Sequence, residues 1–141
     1  MQGSIASAGT SLAQQRRVAG KNYQDLLAWQ RAMELVETVY RGSAAIPPEE
    51  RYGLTSQMRR AAVSIFSNIA EGQGRHTDGE FLNQLSVAHG SVRELETHTI
   101  IAGRLEFMAP STVATILERA GQVGRLVNAL ANELRRRNPK R

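Results

Sequence analysis

Polar side chains that include a serine and an asparagine recur at helical spacing in the middle of this chain, where an ordinary surface helix would carry mainly long charged groups. Neighbours in this set are three or four residues apart, which places them on one face of an α-helix. An arginine beside serine and asparagine on one face could bind a phosphate group through charge-assisted hydrogen bonds. The residues of this polar stripe are Gln57, Arg60, Ser64, Asn68 and Glu71.

A second interpretation of the stripe is a structural polar network with the following helix. Gly90 would allow close approach of that helix, and Ser91 and Glu94 lie within its next turn. A guanidinium buried against a carboxylate fixes helix register more than it adds stability. We favour this interpretation, in which the network consists of Arg60, Ser64, Asn68 and Glu94. The alternative is contact with a ligand or nucleic acid through Arg59, Arg60 and Arg75.

Arg93 and His98 have the spacing of the Arg-x4-His motif found in a family of small helical ribonucleases. The chain has sixteen arginines and three histidines. About one such match is therefore expected by chance. Arg93 also follows Val92 and precedes Leu95 by two residues, so we expect it on the surface side of its helix. We expect no enzymatic activity, and a metal-independent ribonuclease using Arg93 and His98 is the lesser alternative.

Other kinds of catalytic or metal site lack the necessary residues. The chain contains no cysteine, which excludes disulfides, thiolate metal sites and a cysteine nucleophile. The histidines, His76, His89 and His98, are not three or four residues apart, so they cannot form a two-histidine metal site on one helix face. We expect no metal and no cofactor.

The positive charge of the chain is concentrated at its two ends. The net charge is +5, yet residues 22–134 contain ten arginines against thirteen acidic residues. Basic ends that are repeated in an oligomer would attract nucleic-acid phosphates. Alternatively, they only solubilise the chain or complement the negative end of a helix dipole. The basic residues are Arg16, Arg17 and Lys21 at the N-terminus and Arg135, Arg136, Arg137, Lys140 and Arg141 at the C-terminus.

Turn and capping residues divide the chain into four predicted helices. Pro47 and Pro48 separate the first two helices. Thr77 with Glu80 is a capping box for the third helix, and Pro110 suits the first turn of the fourth. The predicted helices cover residues 23–41, 49–72, 78–107 and 110–136, between a flexible arm at 1–22 and a basic tail at 137–141.

Apolar residues follow a coiled-coil-like spacing on the two longest predicted helices. Four helices of similar length with short connections predict an all-α, antiparallel up-and-down four-helix bundle. The seam of the third helix is Phe81, Leu85, Ala88, Val92, Leu95, Thr99 and Ala102; that of the fourth is Val113, Ile116, Ala120, Val123, Val127, Leu130 and Leu134. The faces of the first two are Leu26, Trp29, Met33, Val36 and Tyr40, and Leu54, Met58, Ala61, Ile65 and Ile69.

Further apolar residues lie outside these seams, which indicates self-association. No segment has the apolar length needed to span a bilayer, and the N-terminus lacks the pattern of a secretory signal. We therefore expect a cytoplasmic protein with no membrane partner. The apolar residues outside the seams are Val63, Phe66, Leu117, Leu126 and Ala129.

Three segments of the chain also resemble a known family. They read LLAWQRAMELVETVY, YGLTSQMRRAAVSIFSNIAEGQGR and FLNQLSVAHGSVRELE. They are similar to the four-helix bundle proteins encoded in intervening sequences of bacterial 23S rRNA genes, a group that includes the accessory variability protein of diversity-generating retroelements. The resemblance covers residues 23–107, and residues 52–75 are its most specific part. The long N-terminal arm departs from the family pattern.

The resemblance implies a compact bundle that assembles into a ring-shaped homo-oligomer, typically a pentamer. It further implies binding to nucleic acid and to a reverse transcriptase, without established catalysis. Together with the arginines, it predicts a non-catalytic homo-oligomer that binds the backbone of RNA or DNA, as an accessory to a reverse transcriptase or an rRNA intervening sequence. The alternative is a structural or protein-interaction module that does not bind nucleic acid.

Overall fold

The computed structural model describes residues 26–137, and within this range the regular structure is entirely helical. A single apolar core joins the helices into a four-helix bundle. Within the same range, no helix combines the length and apolar character needed to cross a membrane. The predicted arm at 1–22 and residues 138–141 of the predicted tail lie outside the described residues. The helices are α1 (Leu27–Ser43), α2 (Leu54–Gln73), α3 (Asp78–Arg104) and α4 (Pro110–Arg137), with a 3-10 turn at Pro48–Glu50 between α1 and α2.

The start of α2 lies later in the chain than the prolines suggested. The residues directly after Pro47 form the 3-10 turn, and the α-helix begins only at Leu54. Gly53, just before the helix, has a non-helical conformation with φ −111° and ψ −110°. The amide of Leu54 donates to Glu50 Oε1 at 3.3 Å. This carboxylate satisfies one of the free amides at the helix start and suits its positive dipole end.

The other helix ends differ from prediction by smaller amounts. Leu26 is extended, so α1 begins at Leu27 in the described part of the chain. Helix α3 ends at Arg104 because the chain reverses at Glu106, whose φ of 61° is left-handed. The amide of Phe107 then donates to the carbonyl of Ala102 at 2.9 Å, as in a Schellman ending. Helix α4 continues to Arg137, so the described part of the predicted basic tail is helical.

The seams of α3 and α4 form most of the core. All seven predicted seam residues of α3 are buried, and six of the seven on α4 are buried, with Val113 partly so. These predictions are confirmed. Thr99 is the polar member of the α3 seam, and its hydroxyl donates to the carbonyl of Leu95 at 2.7 Å. The hydroxyl is thereby satisfied without a partner from another helix.

The predicted inner face of α1 is confirmed only in part. Leu26 is buried, and Trp29 and Val36 pack against the edge of the core. The helix packs inward through a neighbouring stripe, whereas the side chain of Tyr40 is 43% exposed. Trp29 is half-buried and its ring lies 6.3 Å from the ring of Phe66. The inward stripe contains two alanines, whose small side chains allow the helix to approach the core closely. The residues of this stripe are Ala28, Ala32, Leu35 and Val39.

One of the apolar residues predicted outside the seams belongs to the core. Leu126 is only 8% exposed and packs inside the bundle. It therefore gives no support to self-association. The other four are half-buried: Val63, Phe66, Leu117 and Ala129.

Close helix approach occurs at Gly72 and not at Gly90, where we had expected it. A Cβ atom added at Gly90 would meet no other atom within 4 Å. A Cβ atom at Gly72 would lie 2.7 Å from Phe81 Cδ1 and 2.9 Å from Gln84 Cβ. Glycine at position 72 thus permits the contact between the end of α2 and the start of α3.

We expect Gly72→Ala to destabilise the protein by about 1–3 kcal/mol, because the added methyl group overpacks a well-filled contact. Gly90→Ala is the matched control and should stabilise by about 0.5–1 kcal/mol, since alanine restricts the unfolded chain and favours helix. Urea denaturation at equal protein concentration compares the two. A Gly72→Ala variant as stable as Gly90→Ala would contradict the close approach.

Candidate nucleic-acid interface

A basic groove lies where the end of α1 meets the start of α2, and we call it the tyrosine groove. Its volume is about 450 Å³. Three arginines and two tyrosines line it, together with two hydroxyl residues and one valine. No acidic residue is among these lining residues, so the charge at the groove is strongly positive. The lining residues are Tyr40, Arg51, Tyr52, Thr55, Ser56, Arg59, Arg60 and Val63.

Arg59 holds the wall of the groove in place. Its Nε donates to Ser43 Oγ at 2.9 Å, and its Nη2 donates to the carbonyl of Tyr40 at 3.2 Å. The guanidinium carbon also lies 4.6 Å from the centroid of the Tyr40 ring. Arg59 therefore supplies a donor to a carbonyl near the C-terminus of α1 and places a positive charge at its negative dipole end. The position of Tyr40 is fixed by these contacts.

Arg51 and Arg60 are the accessible cations of the groove. Both side chains are exposed. The guanidinium of Arg51 lies 5.4 Å from the ring centroid of Tyr52, and Tyr52 itself is 87% exposed. Arg60 has neither a hydrogen bond nor an ion pair with any described residue. These two guanidinium groups can therefore bind an anion without breaking an ion pair within the bundle.

A second groove, which we call the hydroxyl groove, lies between α1 and α4. Its volume is about 380 Å³. Arg119 Nη1 donates to Thr38 Oγ1 at one side of it. Since Arg41 directly follows Tyr40, the two grooves flank the same end of α1, and together they contain five arginines. The lining residues of the hydroxyl groove are Thr38, Arg41, Gly42, Ser111, Thr112, Thr115 and Arg119.

The predicted polar network forms only in part. The hydroxyl oxygens of Ser64 and Ser91 are 2.8 Å apart, and Asn68 Nδ2 donates to the carbonyl and hydroxyl of Ser64 at 2.8 and 3.1 Å. Arg60 and Glu94 are exposed, and no hydrogen bond or ion pair joins these two described residues. The predicted buried Arg60 with Glu94 pair is therefore wrong. The short serine and asparagine side chains satisfy one another, and no charge has to leave water.

The arginines predicted for nucleic-acid binding do not lie on one surface. Fifteen residues, mostly helical, separate Arg60 from Arg75, which corresponds to roughly 20 Å. Lys140 and Arg141 lie outside the described residues. The arginines away from the grooves have neighbouring acceptors: Arg75 with Glu71 at 4.0 Å, Arg135 with Asn132 at 3.0 Å, Arg136 with Glu133 at 3.2 Å and Arg137 with Asp78 at 3.3 Å.

Arg93 and His98 are not brought together within this chain. Five residues of helix rotate their side chains to about 140° apart. Arg93 pairs with Glu96 at 2.7 Å, and among the described residues His98 Nδ1 has no hydrogen-bond partner. This chain alone does not form the Arg–His pair that the ribonuclease alternative requires. Across residues 26–137, no group of three or more potential ligands is placed to hold a metal ion.

Several groove residues were not identified from the sequence. They share a local signal, because each exposed tyrosine is next to an arginine and close to the turn that follows α1. These pairs are Tyr40 with Arg41 and Arg51 with Tyr52. Arg119 carries no such signal, since it reaches the hydroxyl groove only through the packing of α4 against α1.

Comparisons with known proteins agree with this architecture. The family described as 23S rRNA-intervening sequence protein matches residues 24–129. A solved structure from Bacteroides thetaiotaomicron, a protein of unknown function from the S23 ribosomal protein family, is similar with a TM-score of 0.69. The two chains are 18% identical, and the similarity covers 74% of this chain and 97% of the other. No curated protein matches the chain.

Proposed function

This chain belongs to the 23S rRNA-intervening sequence protein family, and we propose that it is a non-catalytic homo-oligomer that binds the backbone of RNA or DNA. The observation that carries the proposal is the pair of grooves at the end of α1. They contain five arginines and no acidic lining residue. Residues 26–137 as a whole carry thirteen arginines and twelve acidic residues, so this local excess is not a property of the entire surface.

Phosphate contacts in this proposal come first from Arg51 and Arg60. Arg41 and Arg119 extend the basic surface to the other side of α1, where the hydroxyls of Ser111 and Thr112 can also donate to phosphate oxygens. Arg59 holds the wall of the tyrosine groove in place, since its guanidinium is already hydrogen-bonded to Ser43 and Tyr40. The recognition is of charge and backbone, and we expect little preference for base sequence.

The helices in this proposal run antiparallel, up and down. Residues that contact each other across two consecutive helices support this arrangement. In these contacts, a residue later in one helix meets a residue earlier in the next helix. Supporting pairs are Trp29 with Phe66 and Ser43 with Arg59, Gly72 with Phe81 and Ser64 with Ser91, and Gly103 with Val113 and Asp78 with Arg137.

Self-association in this proposal uses the outer side of α3. Four large apolar side chains on α3 and at its end are more than two-fifths exposed. One of them, Ile100, also lines an apolar groove of about 400 Å³ between α3 and α4, which includes Val113 and Leu117. Exposed apolar surface of this kind is typical of an interface between proteins. The four exposed residues are Val87, Ile100, Ile101 and Leu105. A pentameric ring and a reverse transcriptase partner remain predictions.

The test is fluorescence anisotropy of a labelled structured RNA and a labelled DNA duplex with the full chain across a salt series. We expect the logarithm of affinity to fall linearly with the logarithm of salt concentration, with a slope of about −0.9 per phosphate contacted on a duplex. Light scattering on the same samples should give a mass above that of one chain. An oligomer that binds neither probe at physiological salt would favour the protein-interaction alternative.

A further inference from the structure

The tyrosine groove contains two exposed aromatic rings that contact with a phosphate backbone does not require. Tyr52 is 87% exposed and Tyr40 is 43% exposed. A ring as exposed as that of Tyr52 contributes little to the core, since it buries little apolar area. Its presence beside Arg51 is therefore not explained by packing.

The backbone around Tyr52 presents this ring on an ordered turn. The amide of Arg51 donates to the carbonyl of Pro48 at 3.1 Å, and the amide of Gly53 donates to the carbonyl of Glu50 at 3.0 Å. The guanidinium of Arg51 lies 5.4 Å from the ring centroid. Because the backbone of the turn is held by these hydrogen bonds, less of it has to be ordered when a planar ligand stacks on the ring of Tyr52.

We infer that the groove takes single-stranded nucleic acid, with an unpaired base stacked on Tyr52 and adjacent phosphates held by Arg51 and Arg60. This inference rests on the proposed function and adds to it the class of nucleic acid. Proteins that bind single strands combine basic grooves with aromatic rings in this way. The bases of a duplex are already stacked on one another, so a duplex offers only its phosphates to the same groove.

The size and the walls of the groove fit such a ligand. Its volume of about 450 Å³ lies within the range of small-ligand sites, roughly 300–1,000 Å³. Tyr40 and the guanidinium of Arg59, 4.6 Å apart, form a second aromatic and cationic pair in the wall. The hydroxyl of the half-buried Ser56 can donate to the sugar or phosphate of the bound nucleotide.

The experiment compares a labelled 12-nucleotide single-stranded RNA without self-complementarity and the duplex with its complement, at each concentration of a salt series. We expect the single strand to bind the full chain about tenfold more tightly than the duplex. Tyr52→Ala should weaken single-strand binding by about tenfold, since one stacked base contributes about 1–3 kcal/mol. Its duplex affinity and the salt slope should not change, because the arginines that bind phosphate are still present. Tyr52→Phe keeps the aromatic ring and should bind like the unaltered protein.

His76→Ala is the control, because it removes another exposed ring that lies outside both grooves and outside the surface proposed for self-association. Equal affinity for single strand and duplex would overturn the inference and leave the proposed function standing. So would an equal effect of Tyr52→Ala on both probes, or a change of oligomer mass in that variant. If neither the single strand nor the duplex binds, both the inference and the proposed function are overturned.

Discussion

The double variant Arg51→Glu/Arg60→Glu is expected to bind a structured RNA on the order of 100-fold more weakly than the unaltered protein, a loss of about 2.7 kcal/mol. The two arginines are exposed at the tyrosine groove, and no acidic residue lines it. The variant removes two attractions for phosphate and adds two repulsions. The salt dependence should also become less steep: the magnitude of the slope should decrease by about two, one for each phosphate that the variant no longer binds. Anisotropy titrations across a salt series measure both quantities.

The matched control is Arg93→Glu/Arg125→Glu, which changes the net charge by the same amount at two exposed arginines outside both grooves. We expect the control to weaken binding less than about fivefold, because neither side chain lines the tyrosine groove or the hydroxyl groove and the remaining effect of net charge is screened by salt. An equal loss in both double variants would mean that overall charge, and not the groove, determines affinity. Arg59 is left unchanged because it bonds Ser43 and Tyr40.

The seams of α3 and α4 could be predicted because a constant apolar spacing continues over many turns of helix. Each further turn repeats the same information, so a local irregularity such as the partly exposed Val113 does not change the result. The capping box is equally local, and Glu80 N does donate to Thr77 Oγ1 at 3.1 Å. Features that are encoded within one helix or one turn could thus be predicted from the sequence.

The inner face of α1 could not be predicted in the same way. The helix carries two apolar stripes side by side, one with Trp29 and Tyr40 and one with Ala28 and Ala32. Burial of large aromatic side chains would ordinarily contribute more free energy, which favours the first stripe. The smaller stripe faces the core and Trp29 packs at its edge. Which stripe faces inward depends on tertiary packing that spacing does not encode.

The grooves could be predicted only in part, because their residues come from distant segments of the chain. Arg59 and Arg60 were identified on α2, but Arg51 lies in the preceding turn and Arg119 on α4. The predicted buried partner of Arg60 also lay on another helix. Whether a polar residue points inward depends on a rotation of about 100° per residue and on the neighbour it meets. Sequence spacing gives this rotation, but it does not identify the neighbouring residue on the other helix.

Leu95→Ala is expected to lower the free energy of unfolding by about 2–5 kcal/mol, the largest effect on stability that we predict. Leu95 is fully buried in the α3 seam, and its carbonyl accepts the hydroxyl of Thr99 at 2.7 Å. Truncation removes buried apolar surface and leaves a cavity that the surrounding helices can only partly close. Urea denaturation at a fixed protein concentration measures the loss, since the stability of an oligomer depends on concentration.

Leu105→Ala makes the same chemical change at a side chain that is 55% exposed in the single chain. For an isolated bundle we expect a cost of less than about 0.5 kcal/mol, as for other surface substitutions. The comparison also bears on self-association, because Leu105 lies on the outer side of α3 that we propose as the interface. If its truncation cost rises with protein concentration while that of Leu95 stays large throughout, contact between copies buries Leu105. A small cost at every concentration would place the interface elsewhere.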